Sequence, residues 1–181
     1  MWSVIRKKQR KKGEEGFTLI ELIVVVAILG FLMAIAIPRY LTARVTAAQS
    51  ATKANLHSLA SALELYATEN NQTTYPAAAD VKNWLDDYIA QAPTPPAGGN
   101  NYVYAPLDSS GTQTGTFTSF VIWDPNSYGG KCYAVGPAGV IGEGAIDEDG
   151  ETVNDAIVEA INAATGLSLT ALPTTTQTLD W

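Results

Sequence analysis

An apolar segment near the N-terminus organises the chain, and it reads Phe17-Thr-Leu-Ile-Glu-Leu-Ile-Val-Val-Val-Ala-Ile-Leu-Gly-Phe-Leu-Met-Ala-Ile-Ala-Ile37. As a helix it would be about 31 Å long, close to the hydrocarbon thickness of a bilayer. Its single charged residue is Glu21. Six basic residues precede it, within residues 1–16. The positive-inside rule therefore predicts that this basic end stays in the cytoplasm and that the rest of the chain faces outward.

Three interpretations account for an apolar segment that follows a basic end. An ordinary secretory signal would be cut after the small-x-small tripeptide Ala34-Ile-Ala36. A plain membrane anchor would stay uncut and would leave Glu21 unexplained. The third interpretation is an anchor that is cut before the apolar segment, between Gly16 and Phe17.

Glu21 favours the third interpretation. A carboxylate inside a membrane-spanning segment costs about 2.5–3.5 kcal/mol on insertion scales. A cut before Phe17 would create a cation, the α-amino group of Phe17, one helical turn away from Glu21. The two charges could pair within one chain, or between neighbouring chains that are shifted along a helix bundle. In the second arrangement Glu21 is a determinant of assembly.

The residues around this cut are Lys11-Lys12-Gly13-Glu14-Glu15-Gly16-Phe17-Thr18-Leu19-Ile20-Glu21-Leu22. This stretch resembles the class III signal of type IV pilins and type II secretion pseudopilins. The resemblance implies that a prepilin peptidase cuts after Gly16 and N-methylates Phe17, and that Glu21 is the acidic residue of the family. It also implies that Gly30 and Pro38 occupy the positions at which the family's helix is loosened.

The same resemblance implies a structural subunit rather than an enzyme. The precursor would cross the cytoplasmic membrane once with its head outside. An assembly ATPase and a platform protein would then add the cut form to a polymer of the same chain, an extracellular filament for adhesion, motility or DNA uptake. One alternative is a type II secretion or competence pseudopilin, which forms a short pseudopilus in the envelope. An alternative of another class is a membrane-anchored extracytoplasmic binding or enzymatic domain.

Charge and composition exclude several other classes of function. Residues 1–16 carry a net charge of +4 and the whole chain −7, so the remainder carries −7 − 4 = −11. Such an acidic body is not expected to bind nucleic acid, because affinity for phosphates depends on Lys and Arg. One His and one Cys leave no His/Cys metal cluster and no internal disulfide. No nucleophile elbow or phosphate loop is present in the sequence.

The chain is predicted to have four parts and an α+β fold. Residues 1–16 are a basic leader that is removed, 17–37 a transmembrane or filament-core helix, 38–70 the amphipathic half of the same helix, and 71–181 a globular head. Leu56, Leu59, Leu63 and Tyr66 follow one another at helical spacing, so they predict a stripe that packs on the head. The head is expected to be a small antiparallel β-meander with an additional C-terminal helix and loop region.

Local patterns place the elements of this head. A short amphipathic helix is predicted from Val81 to Ile89 and a further helix from Val153 to Ala164. Strands are predicted at Tyr102–Ala105, Phe117–Trp123 and Lys131–Val135. Gly136 to Gly150 is rich in glycine and acidic residues, and no strand is predicted there. Leu167 to Trp181 is predicted to be an edge strand or a surface wrap.

The head offers few candidate ligands. Asp147, Asp149 and Glu151 alternate beside Gly150 and form a weak calcium candidate, with a solvated acidic loop as the alternative. No other metal or cofactor is predicted. Cys132 is expected to be a small buried apolar residue, with an intermolecular disulfide as the alternative. His57 is expected to be exposed or to lie at the boundary of the head.

Overall fold

The first element is a long helix, α1, which runs from Leu19 to Glu69 and includes both Gly30 and Pro38. The structure is a computed structural model that describes residues 16–70, 73–146 and 152–180. The chain divides into two units, residues 1–41 and 42–181, and α1 contributes to both. The predicted long helix is confirmed. The predicted boundaries between leader, membrane helix, amphipathic helix and head stay predictions.

The head is built on a five-stranded antiparallel sheet with the strand order β4-β3-β2-β1-β5. Its strands are β1 (Val103–Leu107), β2 (Ser119–Trp123), β3 (Lys131–Val135), β4 (Ile141–Ala145) and β5 (Gln177–Thr178). β1 to β4 form a meander of consecutive neighbours, because short connections favour antiparallel pairing. β5 returns from the C-terminal region to pair with β1. The predicted meander is confirmed.

Two shorter helices accompany the sheet. The helix α2 runs from Val81 to Leu85 and is shorter than predicted, since it ends before Ile89. The helix α3 runs from Val153 to Thr165, as predicted to within one residue. Thr152 and Asp155 close a capping box at its start: each side chain accepts a hydrogen bond from the other residue's backbone N–H.

The sheet is covered by a helix on each face. On one face, α1 packs on every second side chain of the strands. The apolar cluster between them includes Leu56, Leu59, Leu63, Tyr104, Phe120, Ile122 and Tyr133. On the other face α3 packs on Ala105, Leu107, Val121, Trp123, Cys132 and Ala134. The predicted stripe on α1 is confirmed, because its three leucines are fully buried. Tyr66, the fourth member, stacks on Trp84 with ring centroids 4.2 Å apart.

The strand β4 was not predicted, because its sequence Ile-Gly-Glu-Gly-Ala resembles a loop. Its two glycines, Gly142 and Gly144, lie opposite Ala134 and Cys132 of β3. A Cβ atom at Gly142 would overlap the carbonyl oxygen of Ala160, and one at Gly144 would overlap that of Ala156. The backbone of α3 therefore rests directly on the backbone of β4, which only glycine permits.

The C-terminal segment combines the two predicted possibilities, since β5 is an edge strand and the residues before it run over the surface. Leu179 follows β5 and is buried in the core between the sheet and α1. Lys82 on α2 donates to the Asp180 carboxylate at 2.7 Å. These contacts fix the end of the described chain against the head.

An ion pair network joins α1 to the edge of the sheet. The Glu143 carboxylate accepts hydrogen bonds from Lys131 on β3 and, at 3.1 Å, from Lys53 on α1. Lys131 and then Lys53 lower the pKa of Glu143. A carboxyl whose pKa is lower in the folded state stabilises the fold above its unfolded pKa, and this stabilisation is lost as pH falls through the folded pKa.

We expect Glu143→Gln to lower the free energy of unfolding at pH 7 by no more than about 1 kcal/mol, because more than a third of the side chain is exposed. The difference from wild type should shrink as pH falls from 7 past the unfolded pKa of about 4.3, and it should vanish below the lower pKa of the folded carboxyl. Thermal unfolding of both proteins across this range measures it. Asp86→Asn, which removes an exposed carboxylate elsewhere, is the control. A deficit that persisted undiminished at low pH would contradict the assignment.

Candidate processing and assembly site

The N-terminal unit exposes an almost continuous apolar surface. Phe17 is 83% exposed, and the large apolar side chains from Leu19 to Ile37 are 50–75% exposed. Part of α1 is long and apolar enough to cross a membrane, by length and composition. An apolar surface of this extent requires lipid or another protein surface to cover it. The head, in contrast, buries its own core.

Glu21 lies in the first turn of α1, where it closes a capping box with Thr18. Its carboxylate oxygen Oε2 accepts hydrogen bonds from the Thr18 backbone N–H at 2.9 Å and from Thr18 Oγ1 at 2.7 Å. In return, the Glu21 N–H donates to Thr18 Oγ1 at 3.3 Å. The start of α1 is thus held in the same way as the start of α3.

This contact was missed in the sequence analysis, although the signal was present. A Thr followed three residues later by Glu, directly before an apolar run, is a capping-box pattern. The carboxylate therefore has hydrogen-bond donors within its own chain but is still a negative charge beside apolar side chains. In the uncut chain the nitrogen of Phe17 is a neutral amide, and only cleavage would convert it to an ammonium group.

Phe17, which lies just before α1, shares one side of the chain with Ile20, Glu21, Val24 and Val25 in the first two turns of that helix. These five residues line a shallow hollow of about 290 Å³. The helical spacing of three, four, seven and eight residues places them side by side. The structure therefore brings together, on one exposed apolar face, Phe17, the predicted first residue of the cut chain, and Glu21, the predicted assembly residue. Gly16 precedes this face, and Gly30 lies further along α1 with nothing within 4 Å of an added Cβ.

Comparison with known proteins identifies the family. The profile of the prokaryotic N-terminal methylation motif matches residues 11–37. The type II secretion system core protein G of Pseudomonas aeruginosa is 32% identical over 110 residues, which are 52% of this chain and 75% of that protein. The chain belongs to the type IV pilin and type II secretion pseudopilin family. This pilin-family protein is therefore a structural subunit and not an enzyme.

Relatives of both kinds occur in this family. The type IV major pilin protein PilA of Myxococcus xanthus is 37% identical over 89 residues, 49% of this chain and 35% of that protein. The type IV wide pilus major component PilA4 of Thermus thermophilus is 40% identical over 68 residues, 38% of this chain and 52% of that protein. No solved structure matches the chain significantly. Family membership implies processing by a prepilin peptidase and polymerisation, and the signal with its apolar helix indicates a membrane-anchored precursor.

The other candidate residues of the pilin-family protein lie in its head. Asp147, Asp149 and Glu151, the calcium candidate, fall outside the described residues. Within residues 16–70, 73–146 and 152–180, no group of three or more His, Cys, Asp or Glu side chains could hold a metal ion. His57 is exposed, as predicted, and its ring lies against Gly139.

Cys132 is fully buried beneath α3, so the prediction of a small buried apolar residue is confirmed. Burial raises the pKa of the Cys132 thiol to about 11. The thiol is therefore protonated at neutral pH, and the reactive thiolate is scarce. The thiol donates a weak hydrogen bond to the Val153 carbonyl oxygen, 3.9 Å from Sγ. A buried, protonated thiol does not favour the alternative of an intermolecular disulfide.

Proposed function

We propose that the protein is a pilin that is cut between Gly16 and Phe17, methylated at Phe17 and assembled into an extracellular filament. The observation that carries the proposal is the juxtaposition of Phe17 and Glu21 on one exposed apolar face of α1. The cut places a cation at the edge of this face, beside a carboxylate of the same or a neighbouring copy. An ion pair removed from water stabilises an assembly only when both charges are present and close together.

The exposed apolar helix supports the same proposal. Lipid tails are as apolar as these side chains, so burial of apolar surface alone does not favour transfer from membrane to filament. Close packing of parallel helices and the pairing of Glu21 with the ammonium group of Phe17 would favour the filament over the membrane. Mechanical work by an assembly ATPase acting through a platform protein would supply the remaining free energy. Gly30 and Pro38 are weak helix formers and would let α1 adapt to a crowded core.

Cleavage is tested by the mass of the mature N-terminus. We expect wild-type protein from producing cells to begin at Phe17 with one additional methyl group. Gly16→Arg should leave full-length precursor in the membrane, because the peptidase must accommodate the residue before the cut. Gly13→Arg adds the same side chain three residues away and serves as the control. An intact Met1 in wild type, or a start at Ile37, would contradict the proposal.

A second candidate is a pseudopilin of a type II secretion system. It is favoured by the relatives named core protein G, of which the chain covers 75% in Pseudomonas aeruginosa and 79% in Vibrio cholerae. The coverage of the Myxococcus xanthus pilin is 35%. Electron microscopy of sheared surface filaments, with peptide identification, separates the two. Long surface filaments that contain this chain would support a pilin. A pseudopilin would be supported if cells make no such filaments and if deletion of the gene for this chain impairs protein secretion.

A further inference from the structure

A buried carboxylate holds one loop of the head against α1. Asp124 directly follows β2 and is completely buried. Its Oδ1 accepts hydrogen bonds from the Asn126 N–H at 2.9 Å and from Asn126 Nδ2 at 2.7 Å. Its Oδ2 accepts from Tyr128 Oη at 2.8 Å and from Thr52 Oγ1, on α1, at 3.3 Å. A single side chain therefore ties the loop to itself and to the helix.

The hydrogen bonds to this carboxylate come from uncharged groups. The ion pairs of Lys53, Lys82 and Lys131 are made with Glu143 and Asp180 and do not include Asp124. All four donors are neutral hydroxyl or amide groups. Because a buried charge that loses a hydrogen bond suffers a large desolvation penalty, the network depends on every member being in place.

Two more contacts fasten the same loop, residues 124–130, to α1. Gln49 Nε2 donates a hydrogen bond to the Tyr128 carbonyl oxygen at 2.9 Å. Gly129 has a positive φ of 63°, and a Cβ there would lie 2.8 Å from Cγ1 of Val45. We call loop 124–130 together with residues 45–52 of α1 the clasp.

The clasp differs in chemistry from the rest of the contact between head and helix. From Leu56 onward the buried side chains of α1, among them Leu56, Leu59 and Leu63, are members of a close-packed apolar core. Within the clasp, Tyr128 is a member of this apolar cluster and Ala48 packs against it, whereas the other contacts are hydrogen bonds or close approaches of the backbone. Directional hydrogen bonds are lost together when their geometry changes, whereas apolar burial is non-directional and tolerates small displacements.

We propose that the clasp is a separately opening unit, which releases residues 45–52 of α1 while the apolar core around Leu59 stays folded. Local opening of this kind is expected where a contiguous segment has few apolar contacts of its own. The next step rests on the proposed function. In a filament under tension, opening of the clasp would let the head shift along α1 without unfolding. When the hydrogen bonds of Asp124 form again, the original contact between the loop and α1 is restored.

Hydrogen exchange of the full-length chain in detergent micelles tests the clasp without requiring polymerisation. Thr52→Val keeps the shape of the side chain and removes one donor to Asp124. We expect amides of residues 126–131 and of α1 residues 45–52 to exchange at least about tenfold faster than in wild type. Amides of β1, of β2 before Asp124 and of α1 residues 56–67 should keep their rates.

Thr46→Val is the matched control, since it makes the same change on the same helix at an exposed hydroxyl that donates only to the Thr42 carbonyl. Asp124→Asn is the second test variant and should act in the same direction as Thr52→Val. Wild-type rates in the clasp of both test variants would overturn the proposal. So would an equal acceleration of every amide, or a loss of protection throughout the head, because either shows that the clasp opens only with the core.

Discussion

Gly144→Ala is expected to destabilise the head by about 2–3 kcal/mol, the upper part of the range typical of an overpacked core. The added methyl group meets the carbonyl oxygen of Ala156, and the backbone of α3 can retreat only by separating from β4. Gly142→Ala meets Ala160 in the same way. For a unit of this size the melting temperature should fall by about 10 °C in either variant. Thermal unfolding of the full-length chain in detergent micelles, followed by circular dichroism, measures the shift.

Gly30→Ala is the matched control for this experiment. It adds the same methyl group in α1, where no atom lies within 4 Å and alanine is the better helix former. We expect no loss of stability in the head from this change. If Gly144→Ala melted within about 2 °C of wild type, direct backbone contact between α3 and β4 would be disproved. The glycines would then be explained by their place in an edge strand.

The same contact explains why β4 escaped prediction. Local propensity opposes a strand in Ile-Gly-Glu-Gly-Ala, because glycine loses more conformational freedom on folding than other residues. The requirement for glycine comes from Ala156 and Ala160 of α3, each of which is more than ten residues away in sequence from the glycine it meets. A tertiary contact therefore decides the local conformation at Gly142 and Gly144. Propensity and periodicity, which use only neighbouring residues, cannot detect it.

The second helical layer could have been predicted more fully. The strands β2 and β3 read Ser-Phe-Val-Ile-Trp and Lys-Cys-Tyr-Ala-Val, with no alternation of polar and apolar residues. Strands that are apolar on both faces need a cover on both faces. The predicted helix from Val153 to Ala164 is the element that supplies the second cover. The amphipathic pattern of residues 153–164 predicts that this helix exists. The lack of alternation in β2 and β3 indicates that it covers the second face of the sheet.

The candidate site was predictable for a different reason. The signal around Gly16 and Glu21 is local, since cleavage and capping depend on residues within one or two helical turns. The sequence alone therefore places Phe17 and Glu21 one helical turn apart. It could not reveal Asp124, whose partners Thr52 and Tyr128 come from α1 and a loop. The burial of that carboxylate follows from the tertiary fold alone.

Glu21→Ala is expected to reduce filament yield at least about tenfold while cleavage after Gly16 continues. Removal of the carboxylate leaves the new ammonium group of Phe17 without a counter-charge among apolar helices, at a cost of about 2.5–3.5 kcal/mol. This free energy exceeds the 1.4 kcal/mol that corresponds to a factor of ten. Filaments sheared from producing cells and quantified against total cellular subunit give the yield. The mass of the subunit in the membrane reports cleavage independently.

Glu21→Gln distinguishes the charge from the capping box. Glutamine at this position still accepts hydrogen bonds from the Thr18 N–H and Oγ1, so the start of α1 keeps its cap while the negative charge is lost. If charge pairing drives assembly, Glu21→Gln should fail as severely as Glu21→Ala, and Thr18→Ala, which weakens the cap and keeps the charge, should assemble at near wild-type yield. The opposite ranking, with Gln active and Thr18→Ala inactive, would show that helix capping is the requirement. A wild-type yield from both Glu21 variants would remove Glu21 from assembly altogether.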